Sequence, residues 1–297
     1  MWFRNLQIYR LPAAWDMDAP RLEERLARSP LQPCGGLDLQ TSGWASPRDD
    51  DALAFGLNGQ ILIALGVEQK LLPASIVNQF AKDRADAITQ QEDRRVGRKE
   101  LREIKERVID ELLPRAFARR RTTRAWIDPV HGWLVIDAAA RGKAEEVISQ
   151  LVKNLDELPA KLLNTQQSPG AAMTGWLAAG EAPAGFTLDR DLELRAPGDE
   201  RATVRYVRHA LDGEEIREHI AAGKQVTRVG MTWNDRISFT LTEDWQVKRV
   251  GFLDILKENA EAQAESAEEQ FELDFTLMAG ELAKMLADLV EALGGEV

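Results

Sequence analysis

Residues Arg94–Arg124 read RRVGRKELREIKERVIDELLPRAFARRRTTR, and they form a positively charged stretch in an acidic chain. The stretch holds twelve basic and five acidic residues, whereas the whole 297-residue chain has a formal net charge of −11. Its middle is typical of a solvated helix face with i,i+4 ion pairs such as Glu103–Arg107. Residues 115–124 are different, because five arginines occur there without an acid. A polyanion-binding element and a decorated surface both explain this pattern.

On both sides of the stretch the sequence predicts a mixture of strands and helices. Pro114 ends a helix near Leu113, and Asn58-Gly59 between two apolar runs indicates a β-hairpin. The two helices before Pro114 have narrow apolar stripes, so we expect a helical hairpin that projects from a sheet. The elements predicted for the first half are a strand over Met1–Leu11, a helix from Pro20, a loop around Trp44, a hairpin of Ala52–Leu57 and Gln60–Val67, helices over Ala74–Gln91 and Lys99–Leu113, strands over Arg124–Ile127 and Trp133–Asp137, and a helix over Lys143–Leu155.

The second half predicts another set of strands and a long C-terminal helix. Residues 164–185 are rich in small residues, glycine and proline, as in a linker, and include one short helix around Trp176. Apolar residues from Phe271 to Leu293 recur at helical spacing within an acidic segment. The predicted elements are strands over Phe186–Leu194, Ala202–His209, Gln225–Trp233, Arg236–Leu241 and Val247–Phe252, a helix over Gly213–Ala222, and one or two helices over Asp254–Val297.

This order of elements predicts an α+β fold with antiparallel sheets and packed helices rather than a regular βαβ series. We expect three domains: a central domain of residues 1–73 and 114–163, a helical-hairpin tip of residues 74–113, and a base domain of residues 164–297. The long C-terminal helix of the base domain either docks on its own core or packs partly on a second subunit.

Composition and motifs argue against most classes of enzyme. The single cysteine, Cys34, cannot form an internal disulfide and suits a reducing cytoplasm, and no apolar run is long enough for a membrane span. The three histidines share no ligand spacing with Cys34, and no P-loop, GxSxG or HExxH motif occurs. Asp128 and Asp137, which flank a predicted hairpin, are the only carboxylates placed for a metal-dependent nuclease site. We therefore expect a binding protein without catalytic residues, metal ligands or a cofactor.

Several short motifs follow one another as they do in a known family. They are MWFRNLQIYRL at Met1, PCGG at Pro33, GW at Gly43, NGQILI at Asn58, KLLP at Lys70, LLPRAF at Leu112, WID at Trp126, GEL at Gly280 and EALGGE at Glu291. On these motifs the chain resembles, from end to end, the RdgC family of bacterial recombination-associated proteins. LLPRAF followed by WID is the most specific of these signals.

The resemblance implies a cytoplasmic, nucleoid-associated protein that binds double-stranded and single-stranded DNA with little sequence preference. It also implies that curved subunits close into a ring-shaped homodimer with a basic central hole, and that the protein limits the action of a RecA-type recombinase. No enzymatic activity, cofactor or membrane partner is implied. An acidic exterior around a basic hole would explain how a net-negative chain holds a polyanion.

The resemblance also indicates site residues. The family's basic site on the second set of strands falls on Arg208 and His209, where arginine and histidine replace a lysine–glutamine pair, and a histidine is only partly charged near neutral pH. Phe117 of the LLPRAF motif is expected at the ring closure and dimer interface, and a core phenylalanine is the alternative. The full set of DNA-binding candidates is Arg115, Arg119, Arg120, Arg121, Arg124, Arg208 and His209.

Two other functions stay open at this point. One is a metal-dependent nucleic-acid-processing enzyme that uses Asp128 and Asp137, and the other is a protein–protein scaffold whose arginines meet acidic partners. The local structure of residues 119–121 also matters. In a strand Arg119 and Arg121 share one face and Arg120 takes the other, whereas in a loop this distinction disappears.

Overall fold

The computed structural model describes residues 1–12, 15–48, 50–199, 201–254 and 264–297. These residues form seven α-helices: α1 (Ala19–Leu26), α2 (Ala74–Glu92), α3 (Arg98–Leu112), α4 (Arg141–Asn154), α5 (Pro169–Ala179), α6 (Glu214–Ala221) and α7 (Ala267–Ala292). A 3-10 turn over Leu113–Arg115 follows α3. The twelve strands are β1 (Leu6–Arg10), β2 (Gln40–Ala45), β3 (Ala54–Leu57), β4 (Gln60–Lys70), β5 (Ala118–Asp128), β6 (Trp133–Asp137), β7 (Lys161–Leu162), β8 (Phe186–Arg195), β9 (Thr203–Tyr206), β10 (Gln225–Trp233), β11 (Ile237–Thr242) and β12 (Gln246–Phe252).

All twelve strands belong to one antiparallel sheet. Ten follow the order β2-β4-β5-β6-β1-β12-β11-β10-β8-β9, while β3 pairs with β4 and β7 pairs with β1. The two halves of the sheet join where β1 pairs with β12, at Leu6–Val247 and Gln7–Gln246. The α+β class with a large antiparallel sheet is therefore confirmed, and the second set of strands continues the first sheet instead of forming another.

Turn chemistry explains how neighbouring strands connect. Asn58 and Gly59 have φ values of 52° and 77°, as a two-residue hairpin turn between β3 and β4 requires. Asn234 and Asp235, with φ values of 45° and 53°, do the same between β10 and β11. Asparagine and aspartate tolerate this left-handed region because their short polar side chains hydrogen-bond locally. The predicted Asn58-Gly59 hairpin is confirmed.

Helices cover opposite faces of the sheet in its two halves. α1 and α4 pack on one face of the first half through Leu22, Leu26, Val147 and Leu151. α5, α6 and α7 pack on the other face, and their core extends into the first half as far as Trp126. The face of β9, β10 and β12 that lies away from α7 carries charged and polar side chains at least partly exposed to solvent.

The C-terminal helix α7 docks on the core of its own chain. Ser266 caps it by accepting the backbone N–H of Glu269 at 3.1 Å. Arg236 holds its middle with two hydrogen bonds of 2.9 Å to the buried carboxylate of Glu281. Its fully buried apolar residues are Phe275, Met278, Leu282, Met285, Leu286 and Leu289. Residues 255–263, where the sequence allows a separate helix, lie outside the described ranges.

Three local expectations are wrong. Trp44 lies in β2 rather than in a loop, and its buried indole N–H donates to Asn154 Oδ1 at 3.0 Å. β5 begins at Ala118 rather than at Arg124. Its polar first half pairs with β4, although no apolar alternation in the sequence marks it as a strand. Residues 164–185 are not a linker, because α5 buries Met173 and Leu177 in the main core.

The expected helical hairpin is formed by α2 and α3. Its own core is small and consists of Val77, Ala81, Ile104 and Val108. The rest is held by exposed contacts such as the Arg94–Glu100 ion pair, in which two nitrogen–oxygen distances are 2.7 Å. None of the described helices, in the hairpin or elsewhere, is long and apolar enough to cross a membrane. The division into central, tip and base domains stays a prediction.

Val108→Ala is expected to loosen the hairpin alone, because the core that Val108 fills is not shared with the sheet. Leu286→Ala should instead weaken the whole fold by about 2–5 kcal/mol, the usual cost of emptying a buried leucine site. Hydrogen–deuterium exchange separates the two effects, with faster exchange confined to α2 and α3 in the first variant. Equal loss of protection in α7 of the Val108 variant would contradict a separate hairpin core.

Candidate nucleic-acid interface

β5 carries the arginines of residues 119–124 out of the core in one extended strand that pairs with β4 throughout. Side chains of a strand alternate between the two faces of its sheet. Arg119 and Arg121 therefore lie on the face that α1 and α4 cover further along, while Arg120 and Arg124 lie on the face that α7 covers. The strand alternative is confirmed, and the four arginines do not share one surface.

The two arginines on the α7 side are already engaged. Arg120 Nη2 lies 3.1 Å from Glu68 Oε2. The backbone N–H of Cys34, which donates to Glu68 at 2.9 Å, and the Arg120 guanidinium together lower the pKa of Glu68, so this carboxylate stays charged. Arg124 Nε donates to the carbonyl of Pro47 at 3.0 Å. Both arginines thus spend donors inside the fold.

The arginines on the other face are not paired in this way. Arg119 and Arg115 are exposed, and Arg121 is half-buried. Within the described ranges none of the three has a carboxylate oxygen within 4.0 Å. Arg121 Nε is in addition buried without a hydrogen-bond partner among those residues. These side chains retain the donors that a phosphate accepts.

Arg208 and His209 lie in the loop after β9. Arg208 has a φ of 54°, and its backbone N–H donates to Asp191 Oδ1 at 3.1 Å. The backbone N–H of His209 donates to the carbonyl of Arg190 at 2.9 Å, which extends the pairing with β8 by a few residues. The His209 ring lies 5.1 Å from that of Tyr206, and both loop residues are exposed.

Four further basic residues gather beside this loop, and we call them the sheet platform: Arg205, Arg228, Lys248 and Arg249. They come from β9, β10 and β12 and line a cavity of about 150 Å³ on the open face of the sheet. The carboxylates of Asp191 and Glu193 line the same cavity. Sequence reasoning missed this group because its members are isolated in separate strands, and only the strand register brings them together.

The register also relates the platform to β5. A line of residues paired across neighbouring strands divides the sheet into two ends. The following residues all lie on the same side of this line: Arg119, Arg121, Arg208, Lys248 and Arg249. Gln246 faces the same way as Ala125. Lys248 is two residues from Gln246 and Arg121 is four residues from Ala125, so Lys248 and Arg121 share that face. The line begins with the paired residues Ile63, Ala125 and Ile136. It then shifts by one residue along β6 and continues through Asp137, Leu6, Val247, Leu241, Val229, Leu192 and Tyr206.

Phe117 is exposed, so the alternative of a core phenylalanine is wrong. Its side chain is 86% accessible, and its carbonyl accepts the backbone N–H of Leu71 at 2.7 Å. Neighbouring segments also expose apolar side chains to an unusual degree. We call this group the apolar edge, and it consists of Leu39, Leu71, Ile76, Phe80 and Phe117.

The two candidate nuclease carboxylates do not form one site. Asp128 is buried and accepts the backbone N–H groups of Val130 and His131, each at 3.0 Å, while its other oxygen lies 2.6 Å from His131 Nδ1. Asp137 Oδ1 accepts two backbone N–H groups, from Arg4 and its neighbour, at the opposite end of β6. Asp128 pairs with Trp133 at the start of β6, so the backbones of the two aspartates are four residues, or about 13 Å, apart along that strand. No group of three or more metal-ligating side chains is found among the described residues.

Asp128 and His131 also line a cavity of about 710 Å³ between α7 and the β3–β4 turn. Its lining is mostly apolar and includes Trp133 and Phe275. The Asp128 carboxylate is committed to the turn that it closes.

The fold and the charge distribution define a class of protein: an α+β chain with one twelve-stranded sheet and a group of cations from β9, β10 and β12 on its open face. Residues 1–296 match the family described as "Putative exonuclease, RdgC". The chain is 57% identical over 296 residues to the recombination-associated protein RdgC of Bordetella pertussis, covering 100% of this chain and 99% of the relative. It is 55% identical to the proteins of the same name from Janthinobacterium sp. (297 residues, 100% and 99%) and Burkholderia orbicola (296 residues, 100% and 96%). The chain belongs to the RdgC family.

Asp137→Asn is expected to raise the melting temperature at pH 7. Burial raises the pKa of Asp137, so protonation of this carboxyl stabilises the fold. This contribution to the free energy of unfolding is fully present below the unfolded pKa of about 3.9 and is lost as the pH rises through the higher folded value. An asparagine Oδ1 still accepts both backbone N–H groups and carries no charge to bury. Thermal unfolding between pH 4 and pH 8 should be flatter for the variant, and a lower melting temperature at pH 7 would contradict this account.

Proposed function

We propose that this protein binds DNA without sequence preference, closes as a ring-shaped homodimer around duplex DNA, and inhibits the action of a RecA-type recombinase. It acts in the cytoplasm in association with the nucleoid, and it also binds single-stranded DNA. The observation that supports this most is the collection of cations from several strands on the open face of the sheet, in an acidic chain of a family named for recombination.

Electrostatics favour backbone contacts over base reading. Arginine and lysine side chains on an open sheet face can approach phosphates, whereas sequence is read by a helix or ribbon placed in the major groove. From β5 to β9 the sheet crosses seven strand spacings, or about 33 Å, which is close to one turn of duplex DNA. The acids of α7, such as Glu268 and Glu272, lie on the opposite side of the sheet. Their negative charge repels a duplex there, so the open face is the favourable place for DNA.

The apolar edge supports assembly. A two-fold dimer uses the same patch on both subunits, so an exposed phenylalanine such as Phe117 can pack against its own copy or a neighbouring group. Aromatic residues at the centre of an interface often dominate its energy. The position of Phe117, directly before the basic part of β5, would couple closure of the ring to the DNA-binding surface.

The DNA-binding proposal predicts different effects for neighbouring arginines. Arg119→Ala and Arg121→Ala should each weaken binding of random duplexes about uniformly and reduce the salt slope by about one contact. Arg120→Ala is the matched control, because its side chain lies on the opposite face and is paired with Glu68. Fluorescence anisotropy over a series of salt concentrations measures both quantities. Unchanged binding in the Arg119 and Arg121 variants, or a tenfold preference for one sequence, would contradict the proposal.

Phe117→Ala should weaken the dimer and the retention of circular DNA while leaving folding nearly intact, because substitutions at exposed sites usually change stability by no more than about 0.5 kcal/mol. Val130→Ala is a matched control, since Val130 is 70% exposed at the opposite end of the sheet. Sedimentation equilibrium and capture on nicked plasmid provide the measurements. A wild-type protein that sediments as a single species near 33 kDa would refute the ring.

A nucleic-acid-processing enzyme is the second candidate, and the description of the matching family favours it. Incubation of linear and plasmid DNA with Mg²⁺ or Mn²⁺ tests it, with Asp128→Asn as the informative variant. We expect no cleavage above the buffer control. A protein–protein scaffold is the third candidate, and it predicts no gel shift with duplex DNA even at low salt.

A further inference from the structure

We propose that the cavity of the sheet platform binds one DNA phosphate, and that Asp191 and Glu193, which line the same cavity, compete with that phosphate for the platform cations. This inference rests on the proposed DNA binding and deepens it. The two carboxylates thereby set the affinity of the protein for DNA, because a phosphate must compete with them for the same cations.

The cavity has the size and lining for a single anion. Its volume of about 150 Å³ is well below the roughly 300–1,000 Å³ of common small-molecule pockets. A nucleoside therefore does not fit, whereas a phosphodiester group with a few waters does. Besides the four cations, Asn5 and Thr240 contribute neutral polar groups. Arginine-rich surroundings of this kind suit phosphate oxygens, which accept several charge-assisted hydrogen bonds.

The platform cations are only loosely paired in the free protein. Arg228 Nε lies 3.7 Å from Glu193 Oε1, and Arg249 Nη1 lies 3.8 Å from Asp191 Oδ2. These distances exceed the usual hydrogen-bond range of about 2.7–3.2 Å. Arg228 and Arg249 are also 51% and 67% exposed, so solvent weakens both pairs. Their donors therefore remain free for a phosphate.

The two carboxylates, in contrast, are fixed in place. Asp191 Oδ1 accepts the backbone N–H of Arg208 at 3.1 Å. Glu193 Oε1 accepts the hydroxyl of Thr227 at 2.9 Å. These hydrogen bonds hold both carboxylates beside the platform cations. The negative charge of the carboxylates holds the cations together in the free protein and opposes a phosphate in the complex.

A backbone irregularity builds the platform. Val247 and Val250 of β12 both point into the core, although two residues stand between them. A register shift between β11 and β12 accommodates the extra residue and turns both Lys248 and Arg249 to the open face. As a result Arg249 has a φ of 53°, in the left-handed region that favours glycine and is strained for other residues. Strain of this kind clusters at functional sites.

Arg249→Gly separates structure from binding. Glycine adopts the left-handed conformation without strain, so the melting temperature should stay the same or rise. DNA affinity should nevertheless fall about fivefold to tenfold near 0.1 M salt, and the salt slope should fall by about one contact. Lys248→Ala should have the same effect on binding. A loss of affinity accompanied by a comparable loss of folded protein would overturn the binding role.

The carboxylate variants test the competition directly. Asp191→Asn and Glu193→Gln keep their hydrogen bonds to Arg208 and Thr227. Each removes one negative charge beside the platform cations, so each should raise the affinity for a random duplex by about threefold or more. Arg217→Ala and Glu218→Gln are matched controls on α6, which packs on the opposite face, and they should leave both affinity and salt slope unchanged.

The outcomes are distinguishable from failure of the proposed function. Platform variants that behave like the α6 controls, while Arg119→Ala and Arg121→Ala lose affinity, would overturn the phosphate pocket and leave DNA binding intact. Loss of affinity in Lys248→Ala without any gain in Glu193→Gln would overturn the competing role of the carboxylates. Failure of the wild-type protein to bind any duplex at low salt would instead refute the proposed function.

Discussion

The pairing of β1 with β12 is the constraint on which the rest of the structure depends. In the described part of the chain, β1 and β12 pair at Leu6–Val247 and Gln7–Gln246, and this short ladder joins the two halves of the sheet. The backbone N–H of Val250 extends the junction by donating to the carbonyl of Arg4 at 2.9 Å. A slip of one residue here would turn every side chain of one half to the wrong face. It would also separate the platform cations from the face of β5 that carries Arg121.

The placement of helices on opposite faces gives each half of the sheet one covered and one open surface. Because α7 packs on the main core and carries acids on its outer side, these acids lie away from the platform. Within the platform the cations are balanced locally by Asp191 and Glu193 instead of being left to repel one another. A chain with a formal net charge of −11 can in this way keep a surface that attracts a polyanion.

Elements with strong local signals could be predicted from the sequence, and those defined by long-range pairing could not. The Asn58-Gly59 hairpin, the helices before Pro114 and the apolar repeat of α7 each carry their own signal. The first half of β5 carries none, because its arginines and threonines alternate between two polar environments and its partner β4 lies about fifty residues earlier. Trp44 was misplaced for the same reason, since β2 pairs with β4 across the β3 hairpin.

The candidate site shows the same division. The basic run of β5 and the loop at Arg208 were found from charge and from the family resemblance. The bulge that exposes Lys248 and Arg249 has no sequence signal, because a left-handed arginine is not the glycine that such a position favours. The structure also divides the predicted arginines, since Arg120 and Arg124 face the α7 side and are engaged there.

The central claim, that duplex DNA lies on the open face of the sheet, can be tested by site-specific crosslinking. Cys34 is the single cysteine, so a Cys34→Ser background allows a photoactivatable label at one chosen position. Thr240 lines the platform cavity, whereas Thr276 is exposed on α7, on the opposite side. A label at Thr240→Cys should crosslink to a random duplex and lose this product as salt is raised, while a label at Thr276→Cys should not. Equal or stronger crosslinking from position 276 would contradict the account.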